Sequence, residues 1–238
     1  MQIFYTTQIE NSAALLTGDE AGHCSRVLRK RVGDTIHLTD GVGHVYSAVI
    51  NESGKKEVSL TDVELLTTQV RPSGLHIAIA PTKNIARFEW FLEKATEIGI
   101  HTITPVLTAR SERKVIKPER LQKILLAAMK QSKNYHLPTL APLCRYSDML
   151  ATYADVPQKY IAHCMEPDRH LQALYNAGES GVILVGPEGD FSDAEVQEAI
   201  KAGWQEVSLG PSRLRTETAG IVATHIVSLL SQNIECKK

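Results

Sequence analysis

From residue 75 to the end, short apolar runs alternate with longer stretches in which apolar residues recur at helical spacing. That alternation is the strongest constraint on what the chain can fold into. "LHIAIAP", "HTITPVLT", "KYIAHCM", "GVILVG" and "EVSLG" read as strands. Among the intervening stretches, "IARFEWFLEKATEIG" carries apolar residues at 85, 88, 91, 92, 95 and 98 and stops at Gly99, a residue suited to a helix end. "KPERLQKILLAAMKQS" places Pro118 in its first turn, and "TETAGIVATHIVSLLSQ" is apolar along one side. Strands and helices in this order predict an α/β unit with a parallel sheet covered on both faces.

The first seventy residues have another texture. Short alternating runs break at Asp40-Gly41 and Ser53-Gly54, both turn signals, and predict a small β-barrel or compact sheet. "VRPSG" (70–74) then punctuates the chain. The expected organisation is a β domain over 1–72 and an α/β domain over 73–238.

Open parallel sheets bind ligands beyond the carboxyl ends of their strands. Two glycine-rich turns fall there, "VGPEGDFS" (185–192) and "SLGPSRLRTETAG" (208–220). Directly after the first, Ser192 with Glu195 three residues on forms a capping-box pattern that starts a helix. Glycine lets a backbone approach a ligand closely. By pattern alone the turns are either the walls of a small-molecule site or two tight structural turns.

Composition narrows the remaining classes. The 238 residues are 43% hydrophobic and 22% charged, as in a globular protein. "MQIFYTTQIE" lacks the blocks of a signal peptide, and no apolar run reaches membrane-spanning length, so a cytoplasmic protein without membrane contact is expected. Four scattered cysteines and nine histidines without ligand spacing predict neither a disulfide framework nor a metal site. The net charge of −1 conceals an asymmetry. Residues 110–145 hold nine basic against two acidic side chains, and residues 146–210 hold three against eleven. A second basic knot, "RVLRKR", spans 26–31. Localised positive charge on a near-neutral chain points to a phosphate-backbone partner, the alternative being solvated faces.

The paired motifs "VGPEGDFSDAE" and "LGPSRLRTETA" resemble those of the RsmE-type 16S ribosomal RNA methyltransferases of the SPOUT superfamily. "HCSRVLRKRVGD" (23–34), "EKATEIGIHTITPV" (93–106), "RSERKV" (110–115) and "KQSKNYHLP" (130–138) extend the likeness over nearly the whole chain. The resemblance implies a PUA-like β-barrel that grips RNA, followed by a domain with a deep trefoil knot, working as a homodimer. It implies S-adenosyl-L-methionine as methyl donor and N3 of a uridine in 16S rRNA, recognised within the small ribosomal subunit, as acceptor. The donor is expected against Val185, Gly186, Pro187, Glu188 and Gly189 of the first turn and Leu209, Gly210, Leu214 and Arg215 of the second. The sequence departs from the family pattern in three places. Asp190 stands where a second glycine is usual, Ser212 where an arginine is usual with Arg213 one place later, and Lys133-Asn134 where Gly-Arg is usual.

Uracil N3 is protonated at neutral pH, and its conjugate anion spreads charge onto the two flanking carbonyl oxygens. A fixed guanidinium aimed at such an oxygen stabilises that anion, a role expected of Arg215. Glu217 reads either as a base or orienter of Arg215, or as an ordinary acidic residue in a first helical turn. RNA contacts are expected from Arg26, Arg29, Lys30 and Arg31, from Arg110, Arg113 and Lys114, and from Lys133. Two other classes stay open. One is a nucleotide-handling α/β enzyme, for which the Walker lysine is lacking, and the other a non-catalytic RNA-binding protein built on a PUA-like barrel.

Overall fold

A computed structural model describes residues 2–70, 74–164 and 169–235, with side chains to 231. The chain divides into two compact units: residues 1–71 with 129–137, and 72–128 with 138–238.

The first unit is a six-stranded sheet built from β1 (Ile3–Tyr5), β2 (Ile9–Glu10), β3 (Ala13–Thr17), β4 (Thr35–Thr39), β5 (His44–Ser53) and β6 (Glu57–Thr68). Its order is β1-β4-β5-β6-β3-β2, antiparallel throughout except for the β1–β4 pair. The alternation seen in the sequence buries Leu16, Ile36, Leu38, Ile50, Val58 and Leu60 on one face around Phe4. The Asp40-Gly41 turn forms because Asp40 Oδ1 accepts the amides of Val42 and His44, at 2.9 and 3.3 Å. The unit is not purely β, as the strand pattern suggested. Residues 18–22 form a short helix, α1, which runs into a π-helical turn over His23–Val27. Its inner residues Ala21 and Cys24 close the end of the core, leaving the basic knot on the outer side. Residues 129–137 join this unit through the backbone: the Gly43 amide donates to the Tyr135 carbonyl at 3.0 Å, and the Leu137 amide to the Gly41 carbonyl at 2.8 Å. Side chains add to that pairing: Gln69 Oε1 accepts the Tyr135 amide at 2.9 Å, and Lys130 pairs with Glu20 at 2.6 Å.

The second unit is the expected α/β layer structure. In chain order it contains β7 (Leu75–Ile79), α2 (Ile85–Ile98), β8 (Thr102–Leu107), α3 (Pro118–Ser132, whose last turn belongs to the first unit), β9 (Thr139–Leu140) and β10 (Cys144–Arg145). Then come α4 (Tyr146–Thr152), β11 (Gln158–Ala162), α5 (Leu171–Leu174), β12 (Gly181–Val185), α6 (Asp193–Lys201), β13 (Gln205–Val207) and α7 (Thr216–Glu235). The strand order is β10-β8-β7-β12-β11-β13, with β9 beside β8, and every pairing is parallel. All five residues of β12 are buried, as its unbroken apolar run requires. Helix α2 starts at Asn84, whose side chain caps the Ala86 amide, and ends at Gly99 with φ 113°. Its stripe of Phe88, Phe91, Leu92 and Ala95 is buried, and α7 packs against it. That approach is close: a Cβ on Gly220 of α7 would lie 2.6 Å from the Phe91 ring. Among the described residues no helix is long and apolar enough to cross a membrane.

Candidate cofactor and substrate site

Parallel register aligns Ala162 of β11 with Val185 of β12 on one side and with Val207 of β13 on the other. A cavity of about 490 Å³ opens just beyond these three carboxyl ends, as expected for a sheet of this kind. Both glycine turns line it, the first through Val185, Gly186, Pro187 and Glu188, the second through Leu209, Gly210, Leu214 and Arg215. The end of β11 adds His163 and Cys164, which motif reading missed. The available signal was strand position, since "IAHC" ends a buried strand that neighbours β12.

The two glycines act for different reasons. Gly186 has ordinary backbone geometry, but a Cβ there would meet the Phe191 ring at 2.9 Å. Gly210 has open space around it and a φ of 130°, a conformation that side chains disfavour. Gly189, expected among the ligand contacts, does not line the cavity. It packs on Arg110, whose Nη1 donates to the carbonyls of Gly189 at 2.9 Å and Phe191 at 3.0 Å. Glu188 lines the cavity and also anchors the turn, accepting the Lys83 amide at 3.0 Å. The capping box of α6 is fully formed, with Ser192 Oγ accepting from the Glu195 amide and Glu195 Oε2 accepting from the Ser192 amide. Glu195 Oε1 meanwhile accepts the Ala109 amide at 2.7 Å, so the helix start is fastened to the loop after β8.

Arg215 borders the cavity with an exposed guanidinium and, among the described residues, no ion-pair partner. Glu217 is placed differently from the base or orienter considered above. It is 6% exposed, lies outside the cavity wall and faces Arg87 of α2, with Oε1 at 3.8 Å from Nε. One helical residue after Thr216, its side chain points away from the second turn, toward the α2–α7 seam. Its Oε2 is buried without a hydrogen-bond partner among the described residues.

The basic residues also separate by surroundings. Arg26, Arg29 and Arg31 are exposed and Lys30 half-buried, next to Val27 and Val32, themselves 66% and 63% exposed. Lys114 and Lys133 are exposed. Arg110 and Arg113 are already engaged: Arg113 donates from Nε to the Thr82 carbonyl at 2.9 Å and from Nη2 to the Lys83 carbonyl at 2.6 Å. Their guanidiniums brace the loops after β7 and β12, which a count of charges along the sequence could not reveal. Among the described residues no group of three or more His, Cys, Asp or Glu could hold a metal ion.

Comparison with known proteins decides the family. The RNA methyltransferase domain model matches residues 69–228, and the RNA methyltransferase PUA domain model matches 16–63. The ribosomal RNA small subunit methyltransferase E of Rickettsia conorii is 31% identical, over 95% of this chain and 93% of that protein. The chain belongs to the ribosomal RNA small subunit methyltransferase E family. The methyltransferase is also similar to the crystal structure of a probable rRNA methyltransferase from Porphyromonas gingivalis. That likeness has a TM-score of 0.86 at 40% identity and covers all of both chains. A second solved relative is the ribosomal RNA small subunit methyltransferase E from Neisseria gonorrhoeae bound to S-adenosyl methionine. It has a TM-score of 0.84 at 27% identity, covering 97% of this chain and 98% of that one.

Proposed function

We propose that this methyltransferase transfers a methyl group from S-adenosyl-L-methionine to N3 of a uridine in 16S rRNA, the cavity at the ends of β11, β12 and β13 holding the donor. The observation that carries the reading is the meeting of both glycine turns in one cavity. Its size falls within the roughly 300–1,000 Å³ usual for small-molecule sites. The residues present fit the donor. Val185, Leu209 and Leu214 offer apolar cover for a purine, and the carboxylate of Glu188 suits a cationic ligand. When bound, the donor supplies a methyl group activated as a sulfonium.

The protein's part is to position and to stabilise charge. Loss of the N3 proton leaves an anion on the uracil, and the Arg215 guanidinium is assigned to the adjacent carbonyl oxygen. The bond from N3 to the methyl carbon forms as the carbon–sulfur bond breaks, and the proton leaves to a base. Glu217, turned toward Arg87, is assigned to seating the start of α7 rather than to that base. We further assign RNA gripping to the PUA-like first unit through Arg26, Arg29, Lys30 and Arg31, with Lys114 and Lys133 contributing. A trefoil knot in the second unit, a homodimeric state, recognition within the small ribosomal subunit and a cytoplasmic site of action complete the proposal. The insertion of β12 between β7 and β11 supports a threaded path.

Small subunits incubated with the protein and S-adenosylmethionine, followed by mass mapping of the RNA, should locate one N3-methyluridine. Calorimetry should find binding of S-adenosylmethionine and none of ATP. Absence of methylation together with tight ATP binding would overturn the assignment in favour of a nucleotide-handling enzyme.

A further inference from the structure

Asp190, one of the positions that depart from the family pattern, lines the cavity together with Cys164 and Arg213. Asp190 has a φ of 58°, and its amide donates to the Pro187 carbonyl at 2.9 Å, closing a tight turn. Asp is among the few side chains that tolerate that geometry. A glycine would satisfy the turn equally well, so the carboxylate serves something else. Its Oδ1 accepts the neighbouring Phe191 amide at 2.9 Å. Its Oδ2 reaches across to the end of β11 and accepts the Cys164 amide at 3.0 Å. Cys164 is exposed, and desolvation followed by the Asp190 charge pushes its thiol up from the usual value, which favours the protonated form. The thiol feels both charges, that of Asp190 raising its pKa and that of Arg213 lowering it.

The turn over 186–191 is thereby fastened on two sides. Glu188 and Arg110 tie it to the loops after β7 and β8, and Asp190 ties it to β11. A glycine at 190 would leave the second side without a side-chain tie. We propose that Asp190, through its bond to the Cys164 amide, forms a latch that fixes the β11–β12 wall of the cavity, making Asp190 a positioning residue for the methyl donor. Holding that wall in its binding geometry removes an ordering cost from ligand association. The inference rests on the proposed use of the cavity for S-adenosylmethionine.

Two variants test it: Asp190→Gly, which keeps the turn and removes both acceptors, and Asp190→Asn, which keeps the turn and one acceptor. Losing a charged acceptor of this kind should weaken S-adenosylmethionine binding about tenfold in Asp190→Gly. The loss should appear in KM for the methyl donor rather than in kcat, and Asp190→Asn should recover part of it. In the unliganded protein, hydrogen exchange at the Cys164 amide should accelerate in Asp190→Gly. Wild-type affinity in Asp190→Gly, a loss confined to kcat, or an unchanged exchange rate at Cys164 would each overturn the latch. If the wild-type protein itself bound no S-adenosylmethionine, the proposed function would fall. The latch would then stand or fall on the exchange rate of Cys164.

Discussion

A residue can be required for the state it stabilises or for the space it leaves empty, and the cavity wall contains both kinds. Arg215 belongs to the first. The uracil anion appears only as the reaction proceeds, so a guanidinium serving it acts mainly on the transition state. Arg215→Ala should therefore slow single-turnover methylation of small subunits by on the order of a hundredfold to a thousandfold at saturating donor. Affinity for S-adenosylmethionine and the melting temperature should change little, because the side chain is exposed and has no ion-pair partner among the described residues. Arg215→Lys keeps the charge and loses the planar fork, so its rate should fall between the two. A wild-type rate in Arg215→Ala would refute the role. Gly186 and Gly210 belong to the second kind. Gly186→Ala drives a methyl group into the Phe191 ring, whereas Gly210→Ala meets no described atom and only strains its backbone. Both should weaken donor binding in calorimetry. Pairing Gly186→Ala with Phe191→Leu should restore part of the affinity, and Gly210 has no such partner among the described residues.

At the scale of elements, the capping box has a twofold function. Ser192 satisfies an orphan amide at the start of α6, and Glu195, besides completing the box, accepts the Ala109 amide from the loop after β8. Ser192→Ala should cost about 1 kcal/mol, the usual worth of such a cap, read in denaturant unfolding. Glu195→Ala should cost more, since it frees Ala109 as well as the box; equal losses would show that the second bond contributes nothing. The box, the strands of the second unit and the stripe of α2 were legible because each is a local pattern: spacing, a cap, a glycine stop. What was not legible depends on side chains meeting across the fold. Arg110 and Arg113 read as free charge until the carbonyls of Gly189 and Thr82 were seen to occupy them. Glu217, in a recognisable motif, faces Arg87 because one step around a helix turns it from the cavity toward α2. The edge pairing of 135–137 with 41–43 uses backbone groups common to every residue type, so it leaves no trace in composition.

For the whole molecule the decisive quantity is where the charge lies, since the net charge of −1 gives little attraction for RNA. Two basic sets were expected to act alike, and the structure separates them. Arg26, Arg29 and Arg31 are exposed and Lys30 half-buried beside bare valines, and their side chains brace no loop among the described residues. Replacing these four with alanine should weaken RNA binding, and the slope of log K against log salt should shrink by up to about 0.7 for each phosphate no longer neutralised on single-stranded RNA. S-adenosylmethionine affinity should stay unchanged. Replacing Arg110, Arg113 and Lys114 should behave otherwise. Arg110 and Arg113 hold four backbone carbonyls of the loops after β7 and β12. Their removal should loosen the turn that carries Glu188 and lower donor affinity along with RNA affinity. Filter binding across a salt series, set beside calorimetry with the donor alone, separates the outcomes. If the second set lowered RNA affinity and left the donor untouched, those hydrogen bonds would be incidental and the arginines would belong to the RNA face. If the first set left the salt slope unchanged, the basic knot would be a solvated surface and the grip on RNA would have to come from elsewhere in the chain.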